Sequence, residues 1–174
     1  MKYEVLKLTN QPIFSTIQDE GRVGYEQYGV PNSGAGDKVC YRLGNLLLGN
    51  NISSASIEIL YGNASFECIN ETQICITGSD MQPKVNGISL KMWQVVNVYK
   101  GDKIELSASV NGLRSYIAVK KGIEINEILD YEDYSYVDWW PVKSESSDNE
   151  YKTSTSTIEI KKIPFPKQFD ENDD

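Results

Sequence analysis

The sequence predicts a mainly β protein with one main α-helix. Short strand-like segments follow one another through residues 56–119, and turn residues bound each of them. The pair Asn86-Gly87 between two apolar runs indicates a tight two-residue β-hairpin. A convincing amphipathic helical pattern occurs over residues 38–48. This succession of short strands around a single helix is typical of a β-barrel or a β-sandwich.

The strands are predicted from short runs of β-branched and apolar residues. Tyr3–Leu8 alternates weakly and is expected to open the fold as a strand. The Asn86-Gly87 turn joins Pro83–Val85 to Ile88–Leu90, and Gly101-Asp102 marks another tight turn. The further predicted strands are Ser56–Leu60, Ser65–Cys68, Gln73–Ile76, Val95–Tyr99, Ile104–Leu106, Leu113–Val119 and Thr157–Ile163.

The helix is predicted over Lys38–Leu48. Asp37 is suited to cap its N-terminal end, and Gly49-Asn50 to take the left-handed conformation at its C-terminal end. Gly44 costs about 1 kcal/mol relative to alanine inside a helix, so its presence predicts close packing against a neighbour. Four apolar residues fall on one helix face at helical spacing: Val39, Leu43, Leu46 and Leu47.

Between Pro12 and Gly36 the chain is rich in Gly, Asp, Asn and Pro and has little periodicity. We therefore predict a functional loop over this range rather than a strand or a helix. Its glycines allow the backbone to approach a ligand, and the planar guanidinium of Arg22 suits a carboxylate or a phosphate. The loop ends at a helix N-terminus, which favours anions. On the residues alone, a glycine-rich loop that packs over a barrel mouth explains the same pattern.

The chain has the length of one domain, with 174 residues and a formal net charge of −8. This charge argues against nucleic acid as the main partner, because phosphate binding needs a basic face.

Acidic residues concentrate from Tyr131 to the end, which predicts a solvated, partly disordered acidic segment; a docking tail is the alternative. The aromatic cluster Tyr131–Trp140 is either a partner surface or a lid over the core.

No apolar run approaches the roughly 20 residues that a membrane-spanning helix needs. Glu4 and Lys7 interrupt the stretch in which a signal peptide requires apolar residues. We therefore expect a cytoplasmic protein with no membrane partner.

The chain contains no histidine. Ser–His–Asp and Cys–His mechanisms are therefore excluded within it, and catalysis would depend on carboxylates, hydroxyls, lysine or backbone amides. The cysteines Cys40, Cys68 and Cys75 show no CxxC spacing, so neither a disulfide framework nor a metal site is predicted. Buried, reduced thiols are expected instead.

The segment Gln18–Asp37, QDEGRVGYEQYGVPNSGAGD, closely resembles the QD-G-R-GY---GVP-SGA-D signature of a known family. This family is that of allophanate hydrolase subunit 2 and the C-subunit of 5-oxoprolinase, which is similar to biotin-dependent carboxyltransferases. The resemblance continues through RLGNLLLGN, SIEILYG, ITGSD and GLRSYIAVKKGI in the same order, over residues 3–125. It covers the N-terminal half of the family only.

The resemblance implies a cyclophilin-like β-barrel over residues 1–128 and a divergent C-terminal extension over residues 129–174. Lys121 stands where the family has one of two paired glycines. If the family's cleft lies between two halves, this chain holds one wall of it. The catalytic residues stay unknown. The candidate ligand-binding residues are Gln18, Asp19, Arg22, Tyr25, Ser33, Gly34, Asp37, Thr77 and Asp80.

Several of these candidates have a structural explanation beside the functional one. Asp19 and Arg22 either position a substrate carboxylate or form a salt bridge that stiffens the loop. Asp37 is more commonly a helix N-cap than a general base. Ser33 is better suited to hydrogen bonding than to nucleophilic attack, and Asp80 is either catalytic or turn-forming.

The resemblance implies a protein similar to the C-subunit of 5-oxoprolinase, which assists ATP-dependent hydrolysis of cyclic amides such as 5-oxoproline. The implied partners are a homologue of the family's subunit 1, or B-subunit, and a chain that supplies the missing C-terminal half. No cofactor is expected on this chain, and ATP would be used by a partner. A non-enzymatic relative that binds a protein partner stays open as the alternative. A biotin-dependent carboxyltransferase fragment is the weakest hypothesis, because no biotin-accepting lysine motif is present.

Overall fold

The computed structural model describes residues 4–10, 14–21, 26, 29 and 31–123. Ten β-strands and one α-helix lie within these residues. In chain order they are β1 (Leu6–Asn10), β2 (Phe14–Gln18), α1 (Lys38–Leu48), β3 (Ser56–Leu60), β4 (Ala64–Cys68), β5 (Thr72–Gly78), β6 (Lys84–Val85), β7 (Ile88–Ser89), β8 (Val95–Val98), β9 (Lys103–Leu106) and β10 (Arg114–Val119).

The strands form two antiparallel five-stranded sheets, which confirms the predicted mainly β class. Sheet A has the order β1-β4-β9-β6-β7, and sheet B has the order β2-β3-β10-β5-β8. Apolar side chains from both sheets meet in the main core, among them Ile59, Phe66, Ile104 and Ile117. Within the described residues no strand pair joins the two sheets, so the predicted barrel is not closed. Closure requires hydrogen bonds between edge strands, and the edge strand β7 has only two residues.

The strand predictions between residues 56 and 119 are confirmed to within two residues at each end. Asn86 and Gly87 have φ angles of 51° and 79°, as the predicted two-residue hairpin turn between β6 and β7 requires. The first strand begins later than predicted, at Leu6, and continues to Asn10.

The prediction of one loop over Pro12–Gly36 is wrong in its first part, where β2 lies. This strand pairs with β3 along its whole length, from Phe14 opposite Leu60 to Gln18 opposite Ser56. The segment FSTIQ is short and mostly polar, so its own pattern carries a weak strand signal. Pairing with the buried strand β3 supplies the backbone hydrogen bonds that stabilise it.

Helix α1 begins and ends as predicted. Asp37 Oδ1 accepts hydrogen bonds from the N–H groups of Val39 and Cys40, at 3.1 and 3.0 Å. Gly49 has a φ of 67°, and its N–H donates to the Leu46 carbonyl oxygen at 2.9 Å. Local chemistry at both ends therefore sets the length of the helix.

The inner face of α1 packs on β5 and β10, with the small Gly44 and the polar Asn45 between the larger Tyr41 and Leu48. A Cβ atom at Gly44 would lie 3.2 Å from Thr77 Oγ1 and 3.3 Å from Ala118 Cβ, which confirms the predicted close packing. An apolar stripe usually faces the core, but here the stripe Val39, Leu43, Leu46 and Leu47 is exposed. The buried residues of α1 are Tyr41, Gly44, Asn45 and Leu48.

Several predictions concern residues outside the described ranges, namely the aromatic cluster Tyr131–Trp140, the strand Thr157–Ile163 and the acidic end. The domain boundary at residue 128 also stays a prediction.

Cys68 and Cys75 are buried free thiols as expected, whereas Cys40 is only partly buried. Among the described residues, no helix is both long and apolar enough to span a membrane.

Candidate functional site

A row of polar side chains crosses four strands of sheet B beneath the N-terminal half of α1. Strand register places Thr16 opposite Glu58, Glu58 opposite Tyr116, and Tyr116 opposite Thr77. Directly opposite residues project from the same face of a sheet, so these four residues form one row, which we call the polar row. Its face is the one that α1 covers, because Thr77 Oγ1 donates to the Cys40 carbonyl oxygen at 2.8 Å.

Glu58 is the hydrogen-bonding centre of the polar row. Its Oε2 accepts from Tyr116 Oη at 2.7 Å and from the Gly36 N–H at 2.8 Å. Its Oε1 accepts from Arg114 Nε at 3.2 Å, and the Glu58 side chain is only 11% exposed. A buried carboxylate needs such compensation, since an unpaired buried charge is strongly unfavourable. Glu58 thereby connects the end of the glycine-rich loop to the middle of sheet B.

Arg114 packs against the backbone of Gly36. A Cβ atom at Gly36 would lie 2.5 Å from Arg114 Nε, so a larger residue there would displace the guanidinium. The guanidinium is thus fixed on one side by the Glu58 carboxylate and on the other by a backbone without a side chain. The Arg114 side chain is nevertheless 38% exposed, which leaves it accessible to a ligand.

An open cleft of about 430 Å³ lies beside the N-terminal end of α1. Its volume is in the range of small-molecule sites. Among the described residues that line it, Arg114 is the only basic one and Asp37 the only acidic one. The residues that line it are Asp37, Cys40, Gly78, Ser79, Asn111, Gly112, Leu113 and Arg114.

The far wall of the cleft is held together by hydroxyl and backbone groups after β5. The Ser79 N–H donates to the Arg114 carbonyl oxygen at 2.7 Å. Ser79 Oγ is hydrogen-bonded to Ser109 Oγ and donates to the Asn111 carbonyl oxygen. A Cβ atom at Gly78 would lie 2.5 Å from the Arg114 carbonyl oxygen. Glycine at 78 therefore lets the chain turn from β5 to Ser79 directly beside Arg114.

Asp37 lies between the cleft and α1, where its carboxylate is used as the helix cap. Hydrogen bonds from the Cys40 side chain and then the Cys40 backbone N–H lower the pKa of Asp37 below its ordinary value. Its own N–H donates to Tyr116 Oη at 2.7 Å. A carboxylate held in its ionised form by capping is a weak proton acceptor, so this geometry favours the capping role over that of a general base.

The thiol of Cys40 and the phenol of Tyr116, both close to the cleft, are held in their neutral forms. Burial, with a smaller contribution from the Asp37 hydrogen bond, raises the pKa of Cys40 to about 12. A thiol with this pKa is not a thiolate nucleophile at neutral pH. Burial and the Glu58 hydrogen bond also raise the pKa of Tyr116 well above its usual value. Tyr116 therefore acts as a neutral donor to Glu58.

Tyr41 packs beside the polar row from α1. Its ring meets that of Tyr116 edge to face, with centroids 6.3 Å apart. The Tyr41 hydroxyl is buried and has no hydrogen-bond partner among the described residues. Burial is the main cause that raises its pKa, followed by the charges of Glu20 and Asp19.

The loop candidates Asp19 and Gly34 lie where the two ends of the loop cross, outside the lining of the cleft. The Ala35 N–H donates to the Asp19 carbonyl oxygen at 2.9 Å, and Asp19 Oδ1 accepts from the Gly21 N–H at 2.7 Å. Gly34 has a φ of +82°, and a Cβ atom there would lie 2.6 Å from Gly21 N. Both residues therefore shape the base of the loop. Ser33 is exposed next to this crossing.

The remaining sequence candidates are spread around the polar row. Gln18 ends β2, and its Nε2 donates to Thr16 Oγ1 at 3.2 Å. Thr77 is fully buried beneath α1. Asp80 is exposed and accepts a hydrogen bond from the Gln82 N–H at 2.8 Å, as a turn-forming aspartate does. Arg22 and Tyr25 lie outside the described residues, so the proposed Asp19–Arg22 pair stays a prediction.

Sequence reasoning missed Glu58, Arg114 and Tyr116. A signal was present for Glu58, because a carboxylate in the middle of the apolar strand SIEIL must have buried partners. Arg114 and Tyr116 have the pattern of an ordinary strand, and the signal for them is that they lie in the segment GLRSYIAVKKGI, which resembles the family. Of the predicted candidates that the structure describes, only Asp37 lines the cleft.

The chain is similar to known proteins over most of its length. The family model described as "Carboxyltransferase domain, subdomain A and B" matches residues 28–132. The C-subunit of the Escherichia coli 5-oxoprolinase is 28% identical over 125 residues, which cover 72% of this chain and 40% of the relative. The urea amidolyase of Lachancea kluyveri is 32% identical over 124 residues, which cover 71% of this chain and 7% of the relative.

Solved structures show the same similarity in three dimensions. The crystal structure of the Kluyveromyces lactis urea carboxylase matches with a TM-score of 0.69 and 28% identity, covering 73% of this chain and 12% of that one. The K. lactis urea amidolyase matches equally well, with 8% of its chain covered. This chain thus spans less than half the length of each of these relatives, and the similarity concerns one region of larger proteins.

Proposed function

The chain belongs to the family of carboxyltransferase domains, subdomains A and B, and from this premise we propose that it acts as a subunit in ATP-dependent hydrolysis of a cyclic amide. The relatives named as C-subunits of 5-oxoprolinase support this function. The substrate that we propose is 5-oxoproline or a closely related lactam acid. We further propose that the protein works in the cytoplasm with a homologue of the 5-oxoprolinase B-subunit and with a chain that completes the cleft.

The fixed guanidinium of Arg114 in the cleft is the observation that carries this proposal. A lactam acid has one permanent charge, its carboxylate, and Arg114 is the only cation among the described residues of the cleft lining. A guanidinium that is already held by Glu58 and Gly36 loses little conformational entropy on binding. Arg114 would therefore bind the carboxylate and orient the lactam ring in the cleft.

The chemistry requires a partner in this scheme. The sequence has no GxxxxGK[ST] phosphate-binding loop, so we propose that ATP activates the lactam carbonyl on another subunit. The glycine-rich loop that includes Arg22 and Ser33 would then stabilise the activated intermediate with backbone N–H groups, as an oxyanion site does. The purified chain alone is expected to show no hydrolysis of 5-oxoproline with ATP.

Titration calorimetry with two ligands tests the role of Arg114. The ligands are 5-oxoproline and 2-pyrrolidinone, which is the same lactam without the carboxylate. Arg114→Gln is expected to raise the dissociation constant of 5-oxoproline at least tenfold, which is about 1.4 kcal/mol of binding free energy. The affinity for 2-pyrrolidinone is expected to stay unchanged. Gly36→Ala is also expected to weaken the binding of 5-oxoproline, because the added Cβ would occupy the space of Arg114 Nε.

The matched control is Lys100→Gln, which removes an exposed cation outside the cleft lining. It is expected to leave both affinities unchanged. Equal 5-oxoproline affinity in the wild type and in Arg114→Gln would contradict the proposal, as would equal affinity of the wild type for both ligands.

The non-enzymatic alternative is favoured by a different observation, namely the exposed apolar side chains of α1. A protein that only binds partners would use such a surface and would not need the cleft. Two results would together favour this alternative. The wild type would bind 5-oxoproline and 2-pyrrolidinone equally well, and substitution of the exposed apolar side chains of α1 would weaken binding to a protein partner.

A further inference from the structure

Asn111 brings a second donor group to the cleft that Arg114 lines. Its side-chain Oδ1 accepts a hydrogen bond from the Asp80 N–H at 3.1 Å. A backbone N–H can only donate, so this contact turns the amide oxygen toward Asp80 and leaves the NH2 group on the other side of the amide carbon. Among the described residues, this NH2 group has no hydrogen-bond partner. The cleft therefore contains a neutral donor that the fold itself does not use.

Asn111 is held in place by the wall of the cleft. Its carbonyl oxygen accepts hydrogen bonds from Ser79 Oγ and, at 2.9 Å, from Ser109 Oγ. Gly112, the next residue, has a φ of +71°, and a Cβ atom there would lie 3.2 Å from Ser79 Oγ. Both the backbone and the side-chain oxygen of Asn111 are thus fixed. Its NH2 group therefore loses little conformational entropy when it binds a ligand.

Arg114 offers its two terminal nitrogens to a ligand. Glu58 accepts from Nε alone, and within the described part of the chain neither Nη1 nor Nη2 has a hydrogen-bond partner. These two nitrogens suit one carboxylate. A second carboxylate on the same ligand would find no second cation among the described residues of the lining, and Asp37 would repel it. The other polar end of a ligand is therefore expected to be neutral.

We propose that Asn111 Nδ2 donates a hydrogen bond to the lactam carbonyl oxygen while Arg114 binds the carboxylate of the same ligand. Asn111 thereby determines specificity for a ring amide over an apolar ring of the same size. This inference rests on the proposed lactam function and adds the group that recognises the amide. A site that hydrogen-bonds one ligand group discriminates against an analogue that lacks this group, because the donor of the site is then left without a partner.

Titration calorimetry of the full chain with 5-oxoproline and cyclopentanecarboxylate tests the role of Asn111. The second ligand keeps the carboxylate and the five-membered ring but lacks the amide. Asn111→Ala is expected to raise the dissociation constant of 5-oxoproline about three- to tenfold, the range that one neutral hydrogen bond supports. The affinity for cyclopentanecarboxylate is expected to stay unchanged, because this ligand offers no carbonyl oxygen to the NH2 group.

The matched control is Asn97→Ala on β8. Asn97 is also exposed, and its Oδ1 also accepts one hydrogen bond, from Gln73 Nε2 at 3.0 Å, but it lies outside the cleft lining. This change should leave both affinities unaltered. Asn111→Asp is the second variant, because it keeps an oxygen for the Asp80 N–H and replaces the NH2 donor with an acceptor. Its new charge repels both carboxylates, so the additional loss for 5-oxoproline measures the missing donor.

A loss that is larger for 5-oxoproline than for cyclopentanecarboxylate in both Asn111 variants supports the proposal. An equal loss for the two ligands, or no loss, overturns it. Arg114→Gln separates this failure from that of the proposed function, because it should weaken both ligands through their shared carboxylate. If Arg114→Gln weakens both and the Asn111 variants do not discriminate, only the role of Asn111 is wrong. If Arg114→Gln weakens neither ligand, the proposed lactam site is itself contradicted.

Discussion

The two faces of sheet B are made from the same strands, yet different interactions stabilise them. The face toward sheet A carries Ile57, Ile59, Ile76 and Ile117, all at most 5% exposed. The face toward α1 carries the polar row, with Glu58 at its centre. Removal of apolar surface from water stabilises the first face. On the second face, hydrogen bonds mainly offset the desolvation of the groups that form them.

This difference separates the residues that stabilise the fold from those that prepare a site. An apolar row beneath α1 would pack at least as well, because replacing buried ion pairs with apolar residues is often neutral or stabilising. The polar row instead fixes Arg114 at the cleft and joins it to the loop end at Gly36. Changes on the first face should therefore alter stability alone, and changes on the second should alter stability and ligand binding together.

The largest effect on stability is expected from Ile117→Ala on the apolar face. Ile117 is fully buried in the main core, and truncation of such a residue costs about 2–5 kcal/mol of unfolding free energy. Guanidinium denaturation measures the loss, and cleft binding is expected to be unchanged under folding conditions. The control is Ile88→Ala, 73% exposed, which should change stability by less than about 0.5 kcal/mol. A loss of 5-oxoproline affinity in Ile117→Ala would contradict the claim that changes on the apolar face alter stability alone.

A smaller loss of stability with a clear loss of binding is expected from Glu58→Gln. The amide keeps the shape but turns an NH2 group toward donors from Tyr116, Gly36 or Arg114, which costs about 1–3 kcal/mol. Denaturation and calorimetry on one preparation measure both effects. The matched control is Glu67→Gln on β4, in sheet A. Unchanged 5-oxoproline affinity in Glu58→Gln would show that the polar row has a structural role only.

The smallest effect is a pH dependence that arises from Asp37. Because hydrogen bonds from Cys40 lower its pKa in the folded state below 3.8, the unfolded chain takes up a proton first as the pH falls. The Asp37 contribution is therefore fully present above about pH 4 and is lost as the pH falls through the folded-state pKa. Asp37→Asn keeps a good N-cap and removes the titration. Urea midpoints of the two proteins should converge as the pH falls below about 4 and through the folded-state pKa of Asp37, whereas parallel profiles would contradict this account.

The Asp37→Asn comparison also controls for Glu20, whose pKa is lowered by its hydrogen bond with Arg42. Glu20 is present in both proteins, so its titration cancels in the difference between them. Asp37→Ala serves as the second variant, and loss of the cap is expected to cost about 1 kcal/mol at neutral pH.

Local chemistry in the sequence was enough to predict the elements that carry their own signals. Asp37 and Gly49 bound α1 because capping depends on residues within one turn of the helix end. Asn86-Gly87 predicts its hairpin because these residues tolerate positive φ. The strand β2 was missed because FSTIQ has no strong pattern of its own, and its stability depends on β3, which begins 38 residues after the end of β2.

The sequence by itself determined the mainly β class, the position of α1 and its caps, and the close approach at Gly44. Only the tertiary structure decided that Glu58 meets Arg114 and Tyr116, which lie 56 and 58 residues away. It also decided that α1 turns Gly44 toward Thr77 and Ala118 and leaves Leu43 and Leu46 exposed. The register of antiparallel strands determines which side chains lie opposite each other, and a periodic pattern shows that a face is apolar without showing what covers it.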